Sequence, residues 1–185
     1  MLIQLSISLI IFVVTVSSYP SDHITFQPIR VDWDKFYGKW YEFARVDHKL
    51  EAGLSCVTFD FVAGTSYLNG HPYEQVAFDD ELNQYFNVAN VELNEGEAIL
   101  DYGRDNYLYS VIDTDYENYA IVIAFDLIDS SNNQISSLTK KIVWILSRTT
   151  NLNETIKTQI YQKLADYSID KDQLTINDPT KCPEY

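Results

Sequence analysis

The sequence predicts an all-β fold: eight short antiparallel strands arranged as a barrel or sandwich, with one late α-helix on the outside. Three observations lead there. From Phe36 to Ser147 the chain reads as short alternating segments broken by turn residues. No long helical pattern interrupts that region. A single amphipathic helical stripe follows it, with Ile156, Ile160 and Leu164 recurring at the i, i+4 interval.

The elements follow in order. The first strand is FYGKWYEFARV, residues 36 to 46, entered through Gly38, with Trp40, Glu42 and Ala44 on one face by strict alternation. The clearest strand is Cys56 to Val62, with Val57, Phe59 and Phe61 on one face and Thr58 and Asp60 on the other. Further runs are Gln75–Phe78, Tyr85–Val91, Glu97–Tyr102, Tyr107–Ile112, Tyr119–Phe125 and Lys141–Ser147. Turn chemistry separates them: Ala63-Gly64, Asn69-Gly70, Asp79-Asp80, Asn94-Glu95-Gly96, Gly103-Arg104-Asp105 and the polar stretch Asp129 to Gln134. Strands this short and this closely spaced suit an antiparallel barrel or sandwich. The helix opens with Asn153 as N-cap and Glu154 in the first turn, and carries Tyr161 and Tyr167 beside its stripe. Its single apolar side predicts a place against the outer face of the sheet. A short extended tail, Gln173 to Ile176, leads to Cys182.

Residues 1 to 18 contain no charged side chain, and their apolar run from Leu5 to Val16 is short for a bilayer span. Val16 and Ser18 supply small residues at the −3 and −1 positions of a cleavage site, which reads as a secretory signal peptide, leaving 19–185 as one domain. An N-terminal membrane anchor is the competing reading, because the positive n-region is missing. No second apolar run approaches ~20 residues, so no integral membrane association is expected of the mature chain. A net charge of −14 argues against nucleic acid and anionic membrane surfaces, which need basic patches. Cys56 and Cys182 are the two cysteines, and in a secreted chain an even pair reads as one disulfide. Two thiols do not complete a zinc site. His23, His48 and His71 are dispersed, and no spacing marks a catalytic acid/base pair, a thiol nucleophile or a phosphate-cradling glycine loop. Neither a catalytic nor a metal site is therefore expected.

Three further stretches sharpen the reading. Gly38-Lys39-Trp40-Tyr41 resembles the glycine-x-tryptophan signature of lipocalins, Thr114-Asp115-Tyr116 matches the second motif of that family, and Arg148 at the end of a strand matches the third. DTDYENYAIV (113 to 122), VWILSRTTNLNET (143 to 155) and NDPTKCP (177 to 183) are similar to the apolipoprotein D and insect bilin-binding group. The resemblance implies an eight-stranded up-and-down barrel, the lipocalin calyx, and a secreted carrier of a small hydrophobic ligand such as a fatty acid, sterol, retinoid or tetrapyrrole. No cofactor is required, and a bound lipid or tetrapyrrole would be cargo. It also implies that Cys56 and Cys182 form one of the group's two disulfides. The second pair is absent here.

On that fold, alternation and the resemblance nominate the ligand-binding residues: Glu42, Ala44, Val57, Phe59, Phe61, Tyr107, Tyr109, Val111, Ala120, Val122, Ala124, Ile142, Trp144 and Leu146. The family also implies that the guanidinium of Arg148 packs over Trp40 to close the barrel's lower end, a structural role. Glu42 is then either paired with a basic or tyrosyl neighbour, or a contact for a polar or amine group of the ligand. The sequon at Asn153 offers either N-glycosylation or only a cap. Two other functions fit the same residues. One is a scavenger of small amines using acidic pocket side chains. The other is an interaction module whose mouth loop, Asp47 to Ser55 with Leu50 and Leu54, docks a receptor or membrane surface.

Overall fold

The computed structural model describes residues 28–63, 71–93, 97–101, 106–129, 134–135 and 141–183. The expected signal segment and the turns at 64, 69–70, 94–96, 103–105 and 130–133 lie outside them.

Helix α1 (Trp33–Phe36) leads into β1 (Gly38–Val46). Then come β2 (Ser55–Phe61), β3 (His71–Phe78), β4 (Gln84–Leu93), β5 (Glu97–Asp101), β6 (Asn106–Thr114) and β7 (Tyr119–Asp129). A two-residue strand β8 (Gln134–Ile135), β9 (Lys141–Ser147), helix α2 (Glu154–Asp166) and β10 (Leu174–Ile176) complete the chain. Strands β1 to β7 pair with their sequence neighbours, and β9 joins β7 back to β1. The result is an antiparallel eight-stranded barrel, with β10 laid along the upper half of β1.

Alternation dictates two cores. Inside the barrel, Trp40, Val57, Phe59, Phe61, Tyr107, Tyr109, Val111, Ala120, Val122, Ala124, Ile142, Trp144 and Leu146 pack together. Outside, Ile121, Ile123, Val143 and Ile145 meet Ile160 and Leu164 of α2. Asn153 caps that helix, its Oδ1 accepting from the Ile156 amide at 2.9 Å.

One expectation fails. Ala44 does not face inward; it is buried in the outer core against the helix side. A β-bulge causes this: Glu42 is opposite Leu146 and Ala44 is opposite Ile145, so Phe43 is an extra residue. The extra residue reverses the alternation, and Arg45 takes the inward position opposite Trp144.

A second bulge lies in β2, where Ser55 pairs with Phe78 and Thr58 with Val76. Cys56 adopts a φ of 55° there and turns away from the barrel to form a disulfide with Cys182, 126 positions on. The bond fastens the tail where β2 leaves β1, since β2 pairs only with residues 38 to 41 and β10 takes over at 44 to 46.

The closed end is built from the three motifs. Gly38 has a φ of +91°, which a side chain would strain. Arg148 lies 3.6 Å above the centre of the Trp40 ring and donates to the carbonyls of Lys35, Phe36, Lys39 and Tyr116. Thr114 and Asp115 fold the β6–β7 turn, with Asp115 Oδ1 accepting from the amides of Glu117, Asn118 and Tyr119. Tyr116 Oη accepts from the Asp32 amide at 3.0 Å, tying that turn to the segment before α1.

Candidate functional site

The strand directions place the other end of the barrel at the loops 47–54 and 79–83. A cavity of about 180 Å3 opens there, lined by Leu50, Glu51, Gln75, Asn87, Leu100, Tyr107 and Trp144. Its apolar walls come from inward positions of β5, β6 and β9, where the period of two points Leu100, Tyr107 and Trp144 to the axis. A cavity of ~150 Å3 accommodates benzene, so this one fits a compact ring system. Below it, Phe59, Phe61, Tyr73 and Tyr109 fill the barrel with ring contacts between 5.0 and 5.8 Å.

The polar wall is a buried cage. Glu51, at the end of a 3-10 turn in the β1–β2 loop, reaches into the barrel and is 1% exposed. Its Oε2 accepts from Trp144 Nε1 at 3.0 Å, and its Oε1 accepts from Gln75 Nε2. Gln75 Oε1 in turn accepts from Asn87 Nδ2 at 3.3 Å. The Arg45 guanidinium donates to Glu42 Oε1 at 2.7 Å, to the Leu54 carbonyl at 2.8 Å and to the Glu51 carbonyl at 3.4 Å. Glu42, 4% exposed, also accepts at Oε1 from Asn177 Nδ2 at 2.8 Å. His48 lies with Nε2 3.1 Å from Glu51 Oε2 and its ring edge-on to Trp144 at 5.3 Å.

Burial sets the protonation of this cage. It raises the carboxyl of Glu42 well above the usual range, and the facing Glu51 charge adds to that, against the opposing pull of Arg45. Burial raises Glu51 as well, offset by the hydrogen bonds from Trp144 and Gln75 and by the Arg45 charge. The same burial holds His48 down to about 4, so it is neutral near pH 7.

Of the nominated pocket residues, Trp144 and Tyr107 line the cavity itself. Val57, Phe59, Phe61, Tyr109, Val111, Ala120, Val122, Ala124, Ile142 and Leu146 form the packed core around and beneath it. Glu42 belongs to the cage behind the cavity wall. Sequence reasoning missed Arg45, His48, Glu51, Gln75, Asn87 and Leu100. Gln75 and Leu100 carried a usable signal, being at inward positions of their strands. Glu51 carried none, because a loop has no period. Leu50 sits on the cavity rim and Leu54 packs against the inner core.

Comparison with known proteins agrees with this architecture. Bovine (Bos taurus) apolipoprotein D is 28% identical over 163 residues, covering 85% of this chain and 82% of that one. The outer membrane lipoprotein Blc of Vibrio cholerae is 28% identical over 147 residues, covering 76% and 78%. Among solved structures, insecticyanin from the tobacco hornworm Manduca sexta superposes with a TM-score of 0.66 at 19% identity, covering 83% of this chain and 84% of that one. The cockroach allergen Per a 4 superposes with a TM-score of 0.66 at 21% identity, covering 83% and 92%. The family profile of the lipocalin-like domain matches residues 31–179, most of the chain with all three motifs inside it, and the chain belongs to that family.

Proposed function

We propose that this protein is an extracellular carrier that holds one compact hydrophobic molecule in the mouth of its barrel. The observation that carries the reading is the cavity of about 180 Å3 walled by Leu100, Tyr107 and Trp144. Burying a ligand there at ~25 cal/mol per Å2 of apolar surface supplies affinity without ionic contacts. Secretion is supported by the uncharged apolar segment at residues 1 to 18 and by the Cys56–Cys182 disulfide, which persists in oxidising compartments. Binding rather than catalysis fits side chains that are bonded to one another in a fixed cage.

The test is titration with the neutral naphthalene dye prodan, whose emission rises in an apolar site. Saturable binding that quenches tryptophan fluorescence and is displaced by small apolar competitors is the expected result. Failure to bind the dye or any apolar competitor overturns the carrier reading. A second reading, docking through the mouth, is favoured by the exposure of Leu82, Tyr85, Phe86 and Val88 on and beside the β3–β4 hairpin. Co-sedimentation with neutral phosphatidylcholine vesicles is its positive result.

A further inference from the structure

The barrel wall is incomplete on one side of the mouth. β4 pairs with β3 along residues 84–91 but meets β5 only along residues 90–93. The β5–β6 hairpin turns back at that level, with Asp101 opposite both Asn90 and Asn106. Among the described residues nothing pairs with 84–89 on the side away from β3, so this stretch is a free strand edge. Its outward side chains Phe86 and Val88 are 56% and 53% exposed. The edge borders the cavity, since Asn87 lines it beside Leu100 and Tyr107. Folded proteins blunt such edges with lysine, proline, a bulge or a cover. Residues 84–89 carry no charge and no proline, and their register with β3 runs without a bulge. The surroundings are of one sign. From residue 50 to residue 103 the chain has ten aspartates and glutamates and no lysine or arginine. On the outward face Asp60 stands between Lys39 and Glu74, and Glu74 stands between Asp60 and Val88. Glu74 therefore has a like charge on one side and an exposed apolar residue on the other, an unfavourable cross-strand arrangement.

We propose that residues 84–89 receive an extended segment of a basic partner protein, which adds to the sheet as a strand beside β4 and carries lysine or arginine around a short run of β-branched residues. The inference goes beyond the carrier reading and does not depend on it. An added strand bonds the amides and carbonyls of the edge through its own main chain. Its outward side chains cover Phe86 and Val88 as cross-strand neighbours. Its cations meet the anionic face around Glu74, which fixes the sign of the partner. Two other occupants fit less well. A second copy meeting edge to edge would bring two anionic halves together, and like fields repel. A bilayer offers no backbone groups to bond the edge, and the carboxylate beside Val88 would lose its water there.

The probe is the peptide acetyl-KKVTVTVKK-amide, titrated into the intact protein, with backbone hydrogen exchange as the readout. The expected result is exchange at residues 84–89 slowed about tenfold or more at saturation. The acidic counterpart acetyl-EEVTVTVEE-amide binds at least about tenfold more weakly, a gap that narrows as salt rises. The basic peptide with its central amides N-methylated keeps its charge but cannot pair as a strand, and gives no protection. Val88→Lys, with the fold verified by near-ultraviolet circular dichroism, places the usual guard on the edge and weakens the basic peptide about tenfold. No protection of residues 84–89 at millimolar peptide overturns the proposal, as does equal protection by the acidic or the N-methylated peptide. A dimer in analytical ultracentrifugation that Val88→Lys dissolves gives the edge to a second copy and overturns it too. Co-sedimentation with phosphatidylcholine vesicles without peptide protection gives the edge to a membrane, with the same consequence. Prodan separates this inference from the carrier reading. Dye binding without peptide protection defeats the inference alone, whereas peptide protection without dye binding defeats the carrier reading alone.

Discussion

Arg45→Leu isolates what the cage contributes to stability. The side chain is 7% exposed, so its charge is largely dehydrated, and its guanidinium serves Glu42 Oε1 at 2.7 Å and the carbonyls of Leu54 and Glu51. Leucine replaces the buried volume but leaves two carboxylates without their cation and two carbonyls without a donor. Removing one partner of a buried ion pair costs about 3–5 kcal/mol, because the survivor stays buried and uncompensated. For a chain of this size that lowers the melting temperature by on the order of 10 °C. The loss must also depend on pH, with a definite sign. Glu42 and Glu51 already have raised pKa values, both from burial first and Glu42 also from the Glu51 charge, and losing Arg45 raises them further. A group with a raised folded pKa contributes stability that is fully present below its unfolded pKa and is lost as pH rises through the folded value. The deficit of Arg45→Leu relative to the unaltered protein therefore grows from pH 5 to pH 8, by up to about 1.4 kcal/mol per pH unit for each proton involved. His48 acts in the opposite direction. Held at about 4, it erodes stability as pH falls below its unfolded pKa of about 6.5. The Arg45 charge is part of what holds it down, so the variant loses less on this account in acid and the deficit again widens as pH rises. Urea denaturation of both proteins at four pH values measures the effect. A deficit below about 1 kcal/mol, or one that shrinks as pH rises, refutes the account of the cage.

Three further outcomes follow from the same geometry. Trp40→Ala removes a fully buried indole under Arg148 and should cost about 3–5 kcal/mol in denaturation, with an unchanged melting temperature counting against its role as floor. Ala44→Phe should lower stability by about 1–3 kcal/mol by crowding the outer core, while prodan affinity stays within twofold; a large affinity loss would place residue 44 inside the barrel after all. Asn153 caps α2 through Oδ1, leaving Nδ2 to carry a sugar, so protein secreted from a eukaryotic host should shift in electrophoretic mobility on treatment with an N-glycosidase, and Asn153→Asp should abolish the shift.

The barrel was legible in the sequence wherever the period of two ran uninterrupted. Val57, Phe59 and Phe61, then Ala120, Val122 and Ala124, alternate with outward residues, and burial alone fixes their side of the sheet. The closing pair, Trp40 and Arg148, was legible through the family motifs, since no local pattern reveals that residues 108 positions apart are stacked. Legibility ended at the bulges. An inserted residue leaves no mark in the pattern, and Phe43 and Ala44 look as much like inner positions as outer ones. What decides is tertiary: the outer face beneath α2 has room for both. The cage was hidden for a related reason. Glu42 was visible as an anomaly, but its partners arrive from just beyond the bulge, a loop and the tail.

The bulge and the cage are one device. Without the extra residue, the position opposite Trp144 would belong to Ala44, and Glu42 would have no cation on its own strand to face. Inserting Phe43 brings Arg45 to that position, where one guanidinium reaches Glu42 below it and the carbonyls of the 47–54 loop above it. That contact holds the loop down, and the loop in turn delivers Glu51 to Trp144 and Gln75 across the barrel. A lysine could not substitute, because a point charge lacks the fan of donors needed to serve three acceptors in different directions. The acidic wall of the cavity is thus a consequence of how the mouth is fastened. The carboxylate that closes the loop is the same one a ligand would meet on entering.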